Sequence, residues 1–262
     1  MRRHLILAGL VMLLGCSCSE PYLGVKIPFV ATWGDKPIDC DDNEITLSDL
    51  RLYVSEIELD DARGRKHTVV LHDNLQWQQP DLALIDLENG KGGCTNGTGE
   101  TYAYLVGSVP PGDYKGLRFT VGVPFDRNHA DPLKADSPLD DPAMHWHWRS
   151  GYKFLRAGIK TETDGFWIHT GSAGCEGTVR DIKGCRFPNR INVELAEFQP
   201  GRDSIAVNLK ALSAGTDLAD GLPTDCSSGP PETACIAPFS ALGIDFESGK
   251  PAGQQRVFSI LP

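Results

Sequence analysis

Apolar and polar residues alternate with a period of two along much of this chain, and that period leaves little besides β-structure open to it. Leu117, Phe119, Val121 and Val123 alternate with Arg118, Thr120 and Gly122. Ile191, Val193 and Leu195 alternate with Asn192 and Glu194, and Ile205, Val207, Leu209 and Ala211 with Ala206, Asn208 and Lys210. Successive side chains of a strand point to opposite faces, so each run reads as a half-buried strand. Turn residues punctuate the runs; the 262 residues include 28 Gly and 18 Pro. Pro200-Gly201-Arg202-Asp203 predicts a hairpin loop between the last two runs. Residues 60–65 predict another, and Pro110-Pro111-Gly112-Asp113 a third, joining residues 102–109 to 114–123. No stretch carries a long, capped helical period. The expected fold is all-β, an antiparallel β-sandwich with long loops, formed by one domain over residues 24–262.

The N-terminus reads as a targeting segment. Arg2 and Arg3 precede a short apolar stretch that ends at Leu13-Leu14-Gly15-Cys16, a lipoprotein-like cleavage site. Residues 1–15 are expected to be removed as a signal peptide, Cys16 to carry the lipid, and residues 16–23 to form a tether. Ser17 follows Cys16, not the aspartate that argues for inner-membrane retention, so the anchor is expected in the outer membrane, facing the periplasm. An ordinary secretory signal is the alternative. Loss of the two arginines takes the formal charge from −10 to −12. Such an acidic surface repels nucleic acid, which removes that class of partner.

Beyond Cys16 and Cys18, six cysteines remain, and an even set in an oxidising compartment predicts disulfides. Cys175/Cys185 and Cys226/Cys235 are close in sequence within loop-like segments, which favours local pairing and leaves Cys40 for Cys94. Fifteen pairings are possible in principle; a thiolate metal site is the rival reading, ranked below disulfides because no C-x-x-C occurs. Three stretches break the strand rhythm: residues 86–100, 124–143 and 216–238. Long irregular loops in a compact domain are usually functional or disordered.

The second of these loops contains His129 and runs directly into Met144-His145-Trp146-His147-Trp148. On an extended backbone His145 and His147 share one face, and imidazoles at that spacing form a chelate. His72 and His169 also lie near aromatic residues, His169 just before the small-residue loop Thr170-Gly171-Ser172-Ala173-Gly174. Imidazole suits copper, zinc, iron and nickel, so the candidate metal ligands are His72, His129, His145, His147 and His169. Each alone is more commonly a hydrogen-bonded loop residue. Trp33 and Trp167 read as core. Trp77, Trp146 and Trp148 could pack likewise, or stack on sugar rings, so a carbohydrate- or surface-binding role is the second reading. No G-x-S-x-G, H-E-x-x-H or P-loop is present, and no enzymatic activity is expected. Asp41-Asp42-Asn43-Glu44 lacks the ligand periodicity of a calcium loop.

Several ordered motifs resemble one family. They are Phe29-Val30-Ala31 before Cys40; Trp77-Gln78 followed by Ala83-Leu84-Ile85-Asp86-Leu87-Glu88-Asn89-Gly90 and Cys94; and Gly122-Val123-Pro124-Phe125 before Asn128-His129. Then come Ser137-Pro138-Leu139, the segment from Met144 to Phe154, and His169-Thr170-Gly171-Ser172 leading into Cys175 and Cys185. In this order they resemble the MbnP-like copper-binding proteins, known from methanobactin operons and as the four-cysteine half of a metallo-mystery pair. The resemblance implies a periplasmic β-sandwich that binds one copper ion. It also implies a di-haem partner of the MauG and cytochrome c peroxidase type that oxidises a tryptophan to kynurenine. The candidates for that modification are Trp77, in the Trp-Gln motif, and Trp146 and Trp148. Kynurenine offers an amine nitrogen and a ketone oxygen where indole offers no lone pair.

Overall fold

The structure, a computed structural model, describes residues 22–41, 45–161, 165–179, 181–215, 224–228 and 232–262. The signal peptide, Cys16, Cys18, most of the tether and Asp42-Asn43-Glu44 lie outside the described residues.

Two sheets face each other across one apolar core. The smaller runs in the order Phe258–Leu261, Ser204–Asn208, Leu23–Trp33, Tyr104–Val109, Val70–Leu71. The larger runs Ile191–Ala196, Tyr114–Val121, Thr46–Asp61, Gly151–Lys160, Gly165–Gly171, Thr224–Ser227. Val25, Ile27 and Phe29 from the small sheet meet Leu50, Leu52, Val54, Leu117 and Phe119 from the large one, all buried. Phe119 stands edge-on to both Phe29 and Phe258, with centroids 5.9 and 5.7 Å apart. The all-β sandwich expected from the alternation is therefore present.

Its connections differ from the expected ones. The hairpin across residues 60–65 forms, with Leu59 opposite His67. The segments on either side of Pro110–Asp113 do not pair: Tyr104–Val109 lies in the small sheet and Tyr114–Val121 in the large one. Pro200–Asp203 likewise lies on a crossing between sheets, from Ile191–Ala196 to Ser204–Asn208. Local turn chemistry serves a hairpin and a sheet-to-sheet corner equally, so sequence alone does not separate them. The pairing is not wholly antiparallel. Leu23–Trp33 runs parallel to Ser204–Asn208, and Gly165–Gly171 parallel to Thr224–Ser227. The alternating run expected to reach Ala211 stops at Asn208, whose side chain accepts from Ala211 N at 3.1 Å and caps the short helix Leu209–Leu212.

The three disulfides are Cys40–Cys94, Cys175–Cys185 and Cys226–Cys235, the expected pairing. The second joins opposed residues of a separate two-stranded sheet, Ala173–Thr178 with Asp181–Phe187.

Strand Thr46–Asp61 is the spine of the large sheet, pairing with Gly151–Lys160, Leu82–Asp86 and Tyr114–Val121 along its length. It is buried on both faces. Leu50, Leu52 and Val54 enter the sandwich core, while Asp49, Arg51, Tyr53 and Ser55 point the other way and are also buried. What covers that outer face is the irregular segment after Gly122. Val123, Leu139 and Met144 pack with Tyr53, Leu82, Leu84, Tyr152 and Phe154 into a second, smaller apolar cluster. The loop that brings His129 and the His/Trp segment is thus pinned over the back of the large sheet.

Candidate metal centre

Charge, not only apolar contact, fixes the loop there. Arg51 grips the fully buried Asp49 through two bonds, Nε to Oδ1 at 2.9 Å and Nη2 to Oδ2 at 2.6 Å. Arg156 Nε lies 2.8 Å from the same carboxylate, and Arg51 Nη1 lies 3.6 Å from Asp141 of the loop. Lys153 Nζ donates to Ala143 O at 2.8 Å, and Lys153 N to Met144 O at 2.8 Å. Three cations facing two carboxylates hold residues 141–144 against the sheet.

His169 stands in this cationic setting. In Gly165–Gly171, Phe166 and Ile168 enter the core, so Trp167 and His169 share the outer face. Trp167 is therefore not a core residue, contrary to the sequence reading. It lies over Gly158, where a methyl would come within 2.7 Å of the indole, and Arg156 sits 5.8 Å from its ring centroid. Trp167 and Trp146 flank His169 at centroid distances of 6.1 and 6.2 Å, Trp146 edge-on. Trp146 covers Gly171, whose missing side chain leaves room for the ring. The Nε2 of His169 is buried and has no hydrogen-bond partner. Burial, then the charges of Lys153, Arg156 and Arg51, push the imidazole down to about 4. A neutral imidazole with a buried, unpartnered nitrogen is the form in which histidine binds metal.

His129 follows the short helix Phe125–Asn128 and packs edge-on to Phe125 at 4.7 Å. Asn128 ties this helix to the His/Trp segment: its Oδ1 accepts from Tyr152 N at 2.9 Å and its Nδ2 donates to Ser150 O at 3.0 Å. Nδ1 of His129 is buried without a partner, and burial lowers the affinity of the ring for a proton.

The other three candidates are placed differently. His145 rests edge-on against Tyr152 at 5.3 Å, and burial, His147 and Lys153 all lower its proton affinity. His147 is exposed, tilts over Trp148 and accepts from Arg149 N through Nδ1 at 3.2 Å. The register shifts between His145 and His147, so the regular alternation expected to align them is interrupted. His72 is exposed at the small sheet, with Nε2 2.6 Å from Ser108 Oγ. Trp77 stacks flat on Tyr102 at 5.8 Å. Its neighbour Gln78 is a buried clasp that donates to the carbonyls of His72 and Val106 and accepts from Tyr102 Oη at 2.9 Å. The Trp-Gln motif is accounted for by this structural role. All five tryptophans are half-buried, Trp148 between His147 and Arg149. Sequence reasoning missed the Asp49–Arg51–Arg156 network. Its trace was polar residues at period two inside the apolar run of residues 47–54.

A family model, MbnP, matches residues 23–228, which span all five candidate histidines. The chain belongs to the MbnP family. Among solved structures it is similar to MbnP from Methylosinus trichosporium, with 26% sequence identity and a TM-score of 0.79 over 92% of this chain and 98% of that one. No curated protein matches it. MbnP membership agrees with the resemblance carried by the ordered motifs from Phe29 to Cys185.

Proposed function

We propose that this MbnP-family protein binds one copper ion on the outer face of its large sheet and serves in copper acquisition or handling. The observation that carries the reading is the buried, unpartnered Nε2 of His169 beside the edge of Trp146. Trp146 is accordingly the indole whose oxidation to kynurenine by a di-haem partner would add donors next to that imidazole. His145, whose proton affinity burial lowers, supplies the second imidazole. Three nearby cations favour an ion of low charge, so Cu(I) suits the site better than Cu(II). The protein acts as a binding partner and as the substrate of its di-haem oxidant, not as a catalyst. Export and an N-terminal lipid would place it at the membrane, in the periplasm.

The test is metal analysis and peptide mapping of protein produced with and without such a partner. The expected result is one copper per chain and a kynurenine at Trp146. Copper-free protein with all tryptophans intact after exposure to the partner would sink the reading. Single variants His169→Ala and His145→Ala then identify the ligands by copper loss.

A further inference from the structure

The Cys175–Cys185 disulfide differs from the other two in its surroundings. Cys40, Cys94, Cys226 and Cys235 all belong to the main core. Cys185 is only half-buried, and a cavity of about 270 Å³ walled by Phe125, Lys183, Gly184 and Pro188 reaches it. His129 Nε2 stands 3.4 Å from Cys185 Sγ, and the donor atoms of His129, Cys175 and Cys185 lie within 4.8 Å of one another. Asn128 has its amide orientation fixed by Ser150 O and Tyr152 N, so its Nδ2 donates to His129 Nε2 at 3.2 Å. That network assigns the imidazole proton to Nδ1 and leaves Nε2 as the acceptor.

We propose that Cys175, Cys185 and His129 form a redox-gated metal site, closed as the disulfide and open to Cu(I) when reduced. An intact S–S bond offers no thiolate, and the thiolate is the metal ligand. A dithiol, small or thioredoxin-like, opens the bond: two electrons and two protons pass to the cysteines, and the dithiol leaves as its own disulfide. Cu(I) then displaces the two thiol protons, takes the place of the Asn128 amide hydrogen at Nε2, and bonds to both sulfurs and to Nε2. Two soft thiolates and one imidazole suit Cu(I), which takes low coordination numbers. Zn(II) is the competitor and needs a fourth ligand. Because the pair lies on its own two-stranded sheet, outside the main core, opening it leaves the sandwich in place.

This inference goes beyond the copper reading above, because copper held by the oxidised protein reports on the His169 site and only the increment on reduction reports on this one. The experiment reduces the full chain anaerobically with dithiothreitol, desalts it, and titrates it with Cu(I) against bathocuproine disulfonate. Reduced protein is expected to hold one Cu(I) more than oxidised protein and to show a thiolate-to-copper charge-transfer band. Alkylation mapping is expected to place the first opened disulfide at Cys175/Cys185. The Cys175→Ser/Cys185→Ser variant is expected to gain no extra ion. Reduced wild type capped with iodoacetamide at these two cysteines gives the same reading without relying on that variant to fold. His129→Ala is expected to keep the band but weaken the increment on the order of tenfold or more. The proposal is overturned by no increment, by an increment that survives in the serine variant, by first opening elsewhere, or by tighter retention of Zn(II) than of Cu(I).

Discussion

At the scale of single residues, the environment of His169 makes a claim about pH. Its folded-state affinity for a proton is depressed to about 4 against an ordinary value near 6.5. Protons and metal compete for the same nitrogen, so copper retention is expected to persist as pH falls through 6.5 and to fail only near 4. Metal analysis across that range checks this; a midpoint at the ordinary imidazole value would show that protonation of His169 does not govern release. The same shift has a stability consequence. Between about 6.5 and 4 the unfolded chain binds a proton that the native imidazole refuses, so stability is full above that window and falls as pH drops through it. His169→Ala should flatten this part of the pH–stability curve and lose copper at neutral pH. A second prediction concerns Asp49. Its carboxylate is wholly buried between Arg51 and Arg156, and Asp49→Asn would remove the counter-charge that those two guanidiniums share. Breaking a buried pair this way costs about 3–5 kcal/mol. Urea unfolding measures it, and a loss below about 1 kcal/mol would mean that water reaches the network.

At the scale of elements, the site depends on how closely one strand approaches the loop above it. Gly171 ends the strand that carries His169, and an added methyl would come 2.6 Å from Tyr152 O and 3.2 Å from the indole of Trp146. Since the carbonyl cannot swing away as a side chain would, Gly171→Ala is expected to separate the strands locally, cost about 1–3 kcal/mol, and lift Trp146 off His169. Tryptophan fluorescence and copper content report the displacement; unchanged values for both would show that the loop floats free of the strand. Element by element, the sequence was legible where burial is one-sided. The runs through Leu117 and Ile191 show clean alternation because one face meets the core. The two-faced spine, residues 46–61, hid its charged outer side among apolar residues. Trp167 was misread because an aromatic at period two looks the same on either face of a sheet. The corners at Pro110 and Pro200 were read as hairpins because turn residues specify a reversal and not which sheet receives the next strand.

At the scale of the whole molecule, the fold was readable from alternation and cysteine spacing, while the site was readable only as a set of candidates. The meeting of Trp146 with His169, and of His129 with Cys185, rests on contacts between distant segments, such as Asn128 with Ser150 and Tyr152, which no local pattern encodes. The disulfides are the exception, since they are long-range contacts that composition announces, and their contributions should scale with the chain they close. Cys40–Cys94 spans 54 residues and links the first strand's exit to the Gly-rich segment after Asp86, where Gly93 N also donates to Cys40 O at 2.6 Å. Closing a loop of that length restricts the unfolded chain by about 4 kcal/mol, whereas the ten-residue separation of Cys175–Cys185 gives about 3 kcal/mol. Cys40 and Cys94 are also fully buried in the core, so their replacement adds lost packing, while Cys185 is half-buried and outside it. The double variant Cys40→Ser/Cys94→Ser should therefore unfold at markedly lower urea than Cys175→Ser/Cys185→Ser. Equal midpoints, or the reverse order, would mean that the small hairpin and not the core linkage holds the molecule together. That result would also count against treating Cys175–Cys185 as a bond the fold can open.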